Sequence, residues 1–96
     1  MDKKIFETEL KKIVEISKEY GAEKIILFGS CLKNIKSAND IDIAVAGVKP
    51  RDFFYYYGKV SMTVDDRIDI VDLDEIKGHL YNRILDKGKV LYEKSI

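Results

Sequence analysis

Two aspartates and a Gly-Ser pair carry the chemistry that this sequence suggests. The stretch FGSCLKNIKSANDIDIAV (28–45) places Gly29 and Ser30 at the end of one apolar run and Asp40 and Asp42 at the start of the next. Because side chains alternate along a strand, Asp40 and Asp42 are predicted to project from the same face. Two carboxylates on a strand suit a divalent cation, and a glycine turn that leads into a helix suits a phosphate. The combination favours phosphoryl or nucleotidyl transfer.

A third carboxylate is predicted from the later run RIDIVDL (67–73). Nucleotidyl transfer uses two divalent ions, one to activate the attacking hydroxyl and one to neutralise the triphosphate. Three carboxylates suffice to hold both ions when substrate oxygens and waters complete the coordination. Asp69 supplies the third if its strand lies beside that of Asp40 and Asp42, with its isoleucine neighbours facing the core. Gly29 would let the backbone approach the phosphates, and the Ser30 hydroxyl would bind their oxygens.

The elements around these motifs predict a small α+β domain with a mixed sheet packed against helices, in the order α-β-α-β-(α)-β-α-β. Helical or alternating apolar patterns predict a helix over 3–20, strands over 24–28, 41–46, 67–73 and 90–93, and a helix ending at Gly88. Residues 30–36 fit a short helix, and residues 51–64 fit a helix or a strand. Asp72 and Glu75 have capping-box spacing, so Asp72 is predicted to cap the last helix.

Length and composition describe one globular domain over residues 1–96. The formal charge is +0, with acidic and basic residues interleaved, so no basic footprint of a dedicated nucleic-acid binder is present. One cysteine, Cys31, excludes an internal disulfide and fits a reducing compartment. No apolar run approaches the length of a membrane span, and the charged start is unlike a signal peptide. We therefore expect a cytoplasmic protein without a membrane partner.

The pattern Gly29-Ser30, then Asp40-Ile41-Asp42, then Asp69 within IDIVDL resembles the signature of the DNA polymerase β-like nucleotidyltransferase superfamily. The similarity is greatest to its minimal nucleotidyltransferase (MNT) branch and extends over nearly the whole chain, from the opening helix to ILDKGKVLYE. The resemblance implies a nucleotidyltransferase fold, Mg²⁺ (two ions, with Mn²⁺ as an alternative) and ATP or another nucleoside triphosphate. It also implies that Asp40, Asp42 and Asp69 are metal ligands and that Asp69 lies near the attacking hydroxyl.

The chain departs from this family pattern directly after Gly29-Ser30, where many relatives have Arg and this sequence has Cys31. The absence of this Arg removes a candidate phosphate contact, which Lys33 or Lys36 could supply instead. Cys31 itself is predicted to pack rather than to react, because no histidine adjoins it in the sequence.

Two other features outside the motifs have structural interpretations. His79, the one histidine, is predicted to be a solvated helix residue. The aromatic run 53–57 is too large for one small core, which predicts that part of it stays at the surface, as extra packing or as a partner interface.

Three functions fit these residues. The first is a metal-dependent enzyme that transfers NMP, most plausibly AMP from ATP, to a hydroxyl of a partner protein. Stand-alone MNT proteins resemble antitoxins whose partners are helical HEPN-type toxins, so such a toxin is the expected partner. The second is a docking antitoxin or nucleotide-binding module without catalysis, and the third is transfer to a small molecule, as in antibiotic nucleotidyltransferases. Homo-oligomerisation is left open by the sequence.

Overall fold

The computed structural model describes residues 2–32, 34 and 40–95. The described elements, in chain order, are α1 (Lys3–Glu19), β1 (Lys24–Phe28), a 3₁₀ helix (Gly29–Leu32), β2 (Asp40–Ala46), α2 (Pro50–Thr63), β3 (Arg67–Asp72), α3 (His79–Lys87) and β4 (Lys89–Glu93). This order confirms the predicted α+β sequence of elements, with a 3₁₀ turn as the second helix. No described helix has both the length and the apolar character needed to cross a membrane.

The four strands form one mixed sheet in the order β3-β2-β1-β4. β1 runs antiparallel to both of its neighbours, β2 and β4. β2 and β3 run parallel, and the chain between them includes α2, which is the usual way to connect parallel strands. The third predicted strand therefore lies directly beside the second, as the three-carboxylate prediction required.

The two faces of the sheet differ in how they are covered. The inner face packs against α1 and α2 through a core that includes Ile13, Ile41 and Tyr56, all with zero exposed surface. The outer face carries a smaller cluster in which Ile84 of α3 packs with Ile26 and Ala44. α3 thus covers the outer face around the middle of β1 and β2, and the beginning of β2 with its aspartates lies beyond that cluster.

Residues 50–63 form a helix, so of the two structures predicted for residues 51–64, a helix or a strand, the helix is correct. Pro50 occupies the first turn, where its missing N–H costs nothing. Tyr56 and Val60, four residues apart, are fully buried, whereas Phe54 and Tyr55 are 81% and 68% exposed. A strand would place Phe54 on the same face as Tyr56, two residues later, so the exposure of Phe54 beside the burial of Tyr56 excludes a strand. The prediction that part of the aromatic run stays at the surface is confirmed.

The prediction that Asp72 caps the last helix is wrong. α3 begins at His79, with Gly78 at its N-cap in a positive-φ conformation. Asp72 instead accepts the backbone N–H of Asp74 at 3.0 Å, and Asp74 in turn accepts the N–H of Gly47 at 2.9 Å. These local hydrogen bonds hold residues 72–75 in a turn that is fastened to the loop after β2, so the backbone there is not available for a helix.

A buried hydrogen bond between Ser17 and Tyr56 ties α1 to α2. The two hydroxyl oxygens are 2.6 Å apart, and Ser17 donates to the carbonyl of Ile13 at 2.6 Å, which leaves Tyr56 as the donor to Ser17. Burial raises the pKa of Tyr56 to about 12, so the phenol keeps the proton that it donates.

Tyr56→Phe is expected to lower the free energy of unfolding by about 1–2 kcal/mol, because it removes this bond between two fully buried side chains. Tyr55→Phe removes the hydroxyl of an exposed residue one position earlier on the same helix and serves as the control. Urea denaturation of the three proteins measures the difference. Equal midpoints for both variants would show that the Ser17–Tyr56 bond contributes nothing.

Candidate active site

The predicted site residues of β2 lie on the outer face of the sheet. Ile41 and Ile43 are fully buried in the inner core, and strand alternation places Asp40 and Asp42 on the opposite face, where both are half-buried. β3 shows the same alternation, with Ile68 and Ile70 in the core. The apolar residues of both strands therefore decide which way the aspartates point.

Asp42 and Asp69 are direct neighbours across the parallel strands. The register pairs Asp42 with Asp69, one residue after the pairing of Ile41 with Ile68. Burial raises the pKa of Asp42, and the nearby carboxylates of Asp69 and then Asp40 raise it further, as does a hydrogen bond with the Asp69 side chain. The neighbouring carboxylates thus disfavour the charged form of Asp42.

Asp40 forms an ion pair but leaves one carboxylate oxygen without a hydrogen-bond partner among the described residues. Its register partner is Arg67, whose Nε lies 3.6 Å from Asp40 Oδ1. That distance makes an ion pair but is too long for a hydrogen bond, and the same oxygen is buried without a hydrogen-bond partner in the part of the chain that the structure describes. The arginine guanidinium is largely exposed, so this pair contributes little to stability. Asp40 therefore retains an acceptor that a ligand could use.

Gly29 touches the carboxylate of Asp42 at the end of β1. Its φ of +81° is a conformation that favours glycine. A Cβ at this position would also collide with the Asp42 carboxyl group. The glycine was predicted to let a phosphate approach the backbone, and the structure shows that it also leaves room for the central carboxylate.

Tyr57 and Arg67 are site neighbours that sequence reasoning missed. The Tyr57 hydroxyl donates to the carbonyl oxygen of Ile68 at 3.1 Å and lies 3.4 Å from Asp69 Oδ1. Arg67 could have been identified, because it stands two residues before Asp69 in the same strand and so shares its face. Tyr57 gave no such signal, because only the packing of α2 on β3 brings it there.

The structure describes three of the remaining residues discussed from the sequence, Ser30, Cys31 and His79. Ser30 lies in the 3₁₀ helix Gly29–Leu32, and Lys33 and Lys36 fall outside the described residues. Cys31 is buried and its thiol donates to the carbonyl of Asp40 at 3.0 Å. Burial raises the pKa of Cys31, and Asp42, Asp66 and Asp40 raise it further, which keeps the thiol protonated and unreactive. His79 is exposed at the start of α3, as predicted.

Residues 11–96 match the family model for polymerase beta nucleotidyltransferases. The chain belongs to this nucleotidyltransferase family. No curated protein matches it. The family assignment made from Gly29-Ser30 and the three aspartates is thereby confirmed, although the match concerns the family and not the role of each residue.

Solved structures of this nucleotidyltransferase fold include toxin–antitoxin pairs. A crystal structure of a toxin–antitoxin with AMP-PNP has a chain 26% identical, with a TM-score of 0.75 over 90% of this chain and 74% of that one. The tri-AMPylated Shewanella oneidensis HEPN toxin in complex with MNT antitoxin gives 25% identity and a TM-score of 0.72 over 92% of this chain and 72% of that one. A protein assigned as a minimal nucleotidyltransferase, 19% identical, has a TM-score of 0.76 over 93% and 95% of the two chains and shows the same fold.

The donor set of this candidate site fits a divalent cation. Asp69 lies beside Asp42 and raises the pKa of Asp42, and Asp40 has a buried oxygen without a hydrogen-bond partner among the described residues. Carboxylate oxygens are the ligands that Mg²⁺ and Mn²⁺ prefer. Within residues 2–32, 34 and 40–95, no three His, Cys, Asp or Glu side chains are gathered into a ready-made metal cluster. The protein thus supplies two adjacent carboxylates, with Asp40 on the same face.

We expect Asp42→Asn to be more stable than the wild type at neutral pH in EDTA. The raised pKa means that the folded protein binds the Asp42 proton more tightly than the unfolded chain, so the charged carboxylate destabilises the fold above that pKa. The advantage of Asp42→Asn should shrink as the pH falls through the raised pKa, where the wild-type carboxyl becomes neutral. Urea denaturation between pH 4 and 8 measures it.

Glu15→Gln provides the matched control, because Glu15 is an exposed carboxylate on α1. This variant should show no comparable pH-dependent gain. An Asp42→Asn protein that is less stable than the wild type at pH 7 would contradict the assigned repulsion.

Proposed function

We propose that this chain is a Mg²⁺-dependent nucleotidyltransferase that transfers AMP from ATP to a hydroxyl of a HEPN toxin, as the antitoxin of a two-gene module. The observation that carries the proposal is the pairing of Asp42 with Asp69 beside Gly29, on the part of the outer face beyond the α3 cluster. The match to the nucleotidyltransferase family and the tri-AMPylated toxin in a similar structure support it. We further propose that residues 1–96 act as one minimal nucleotidyltransferase domain.

Each predicted site residue has a role in this proposal. Asp40, Asp42 and Asp69 would hold the metal, which when bound polarises the phosphates and lowers the pKa of the attacking hydroxyl. Gly29 and Ser30, with the cation of Lys33, would bind the phosphate oxygens. ATP is the proposed nucleotide because a similar structure holds AMP-PNP.

Asp69 is the residue that we assign to the acceptor. It lies on β3, the edge strand of the sheet, and it is the exposed member of the Asp42–Asp69 pair. A hydroxyl that approaches from this edge would lose its proton to Asp69 as its oxygen forms a bond to the α-phosphorus and the bond to pyrophosphate breaks. Tyr57, whose hydroxyl lies 3.4 Å from Asp69 Oδ1, would donate to that carboxylate in place of the Ile68 carbonyl when the site is loaded.

A partner protein would complete the site. Positioning of the acceptor and exclusion of water supply much of the rate in group transfer, and an open sheet face supplies neither alone. The exposed side of α2, with Phe54, Tyr55 and Met62 at 68% exposure or more, offers an apolar surface for docking. A docking surface of this kind agrees with the toxin–antitoxin complexes among the similar structures.

A docking antitoxin without catalysis is the second candidate function. Two observations favour it: Cys31 stands where many relatives have Arg, and the described residues hold no assembled three-ligand cluster. The adjacent carboxylates argue against it, because a site that binds no cation would retain an unfavourable pair without benefit.

Mg²⁺ with ATP is expected to raise the melting temperature of the wild type, because a ligand that binds only the folded state stabilises it. At a ligand concentration 100 times Kd the gain is about 2.7 kcal/mol. Asp42→Asn should lose this gain, and Glu15→Gln should keep it. Isothermal titration calorimetry at saturating Mg²⁺ gives the affinities directly. Equal ATP binding by the wild type and Asp42→Asn would remove Asp42 from the metal site.

Incubation with α-labelled ATP, Mg²⁺ and the product of the adjacent gene, which we propose to be a HEPN toxin, should label that product. Asp69→Ala should reduce the labelling at least about 100-fold, as expected when a proton acceptor and metal ligand is lost, while the complex still elutes as one species. Glu15→Ala should label normally. Formation of the wild-type complex without transfer from any nucleotide would favour the docking antitoxin.

A further inference from the structure

A large cavity lies between the end of β1 and α3, next to the carboxylates. Its volume is about 740 Å³, within the range of small-molecule sites in proteins. Its wall is mostly apolar, with Phe28, Leu32, Leu80 and Ile84, and α3 adds the charged residues Arg83, Asp86 and Lys87. None of these residues was assigned a role by the motif analysis.

The cavity adjoins the candidate active site at Gly29. Gly29 lines it, and the same glycine lies against the carboxyl group of Asp42. Phe28, also in the wall, is the register partner of Asp42 across the antiparallel strands. A molecule in the cavity would therefore reach the carboxylates past Gly29.

The cavity wall carries two cations, Arg83 and Lys87, and one carboxylate, Asp86, and the net positive charge favours an anion. Arg83 and Lys87 are one helical turn apart on α3 and so share a face of the helix. Within the described residues Arg83 makes no ion pair, and Lys87 has only an exposed contact of 3.9 Å with Asp86. Such an exposed pair is weak, so it would not prevent Lys87 from binding a ligand. Guanidinium and ammonium groups are the side chains that bind phosphates best.

We propose that this cavity is the nucleotide pocket, and that Arg83 and Lys87 bind the polyphosphate while Leu32 and Leu80 pack against the base. This inference rests on the proposed function and deepens it. Cys31 is buried and brings no cation to the turn after Gly29, so α3 supplies phosphate contacts in addition to those proposed for Gly29, Ser30 and Lys33. A nucleoside triphosphate has the matching chemistry, with a flat apolar base at one end and a polyanion at the other.

The test compares Arg83→Gln/Lys87→Gln with Lys11→Gln/Arg51→Gln. Both double variants remove one arginine and one lysine charge from exposed helix positions, and only the first pair lines the cavity. Calorimetry in Mg²⁺ with ATP and with inorganic tripolyphosphate gives the affinities. The cavity variant should bind both ligands at least about tenfold more weakly than the control, because each charge-assisted contact contributes about 1.5 kcal/mol or more.

Leu80→Ser tests the apolar wall separately. Leu80 is 44% exposed, so the substitution should leave the fold intact, which thermal melting checks. The Leu80→Ser substitution should weaken ATP binding several-fold and leave tripolyphosphate binding unchanged. Unchanged ATP binding, or an equal loss for tripolyphosphate, would overturn the assignment of the base to this wall.

The outcomes separate the pocket from the proposed function. Affinities of Arg83→Gln/Lys87→Gln within twofold of the control, or a toxin-labelling KM for ATP equal to the control value, would overturn the pocket and leave the transfer activity standing. Loss of ATP and tripolyphosphate binding in the cavity variant, with no labelling of the toxin by the wild type, would support the pocket and reject catalysis.

Discussion

The parallel pairing of β2 with β3 is the constraint on which the rest of the structure depends. Ile41 and Ile68 face the inner core at the register that sets Asp42 beside Asp69. Burying each isoleucine contributes about 1.5–3 kcal/mol, whereas two like charges near a protein surface repel by a few kcal/mol at most. The core therefore outweighs the carboxylate repulsion. A slip of one residue would expose the isoleucines and bury the acids.

This balance links the stability of the fold to its proposed chemistry. The core holds Asp42 in a position where burial and neighbouring carboxylates disfavour its charge. Gly29 leaves room for that carboxylate, and Tyr57 lies within reach of the next one. A cation would relieve the repulsion that the apolar packing tolerates, so ligand binding and folding should stabilise each other.

The placement of α3 determines what else can reach the carboxylates. Ile84 anchors the helix on Ile26 and Ala44. Gly88 ends it so close to β1 that a Cβ there would collide with the Ile26 side chain and the Ile84 carbonyl. This tight turn fixes the distance between α3 and the end of β1, and the cavity with Arg83 and Lys87 lies in the space that remains.

The sequence by itself determined the features that depend on neighbouring residues. Strand alternation placed Asp40 and Asp42 on one face, and the apolar runs located the four strands to within a residue or two. The Gly-Ser and aspartate spacing indicated the nucleotidyltransferase family. These predictions succeeded because periodicity is a local property of the chain.

Only the tertiary structure decided which distant residues meet. It placed β3 beside β2, brought Tyr57 to Asp69, and put Arg83 and Lys87 near Gly29. The tertiary structure also decided that α3 begins at His79, because Asp74 accepts a hydrogen bond from the N–H of Gly47, 27 residues earlier in the chain. Such contacts depend on the free energy of packing whole elements together, which no local spacing of residues encodes.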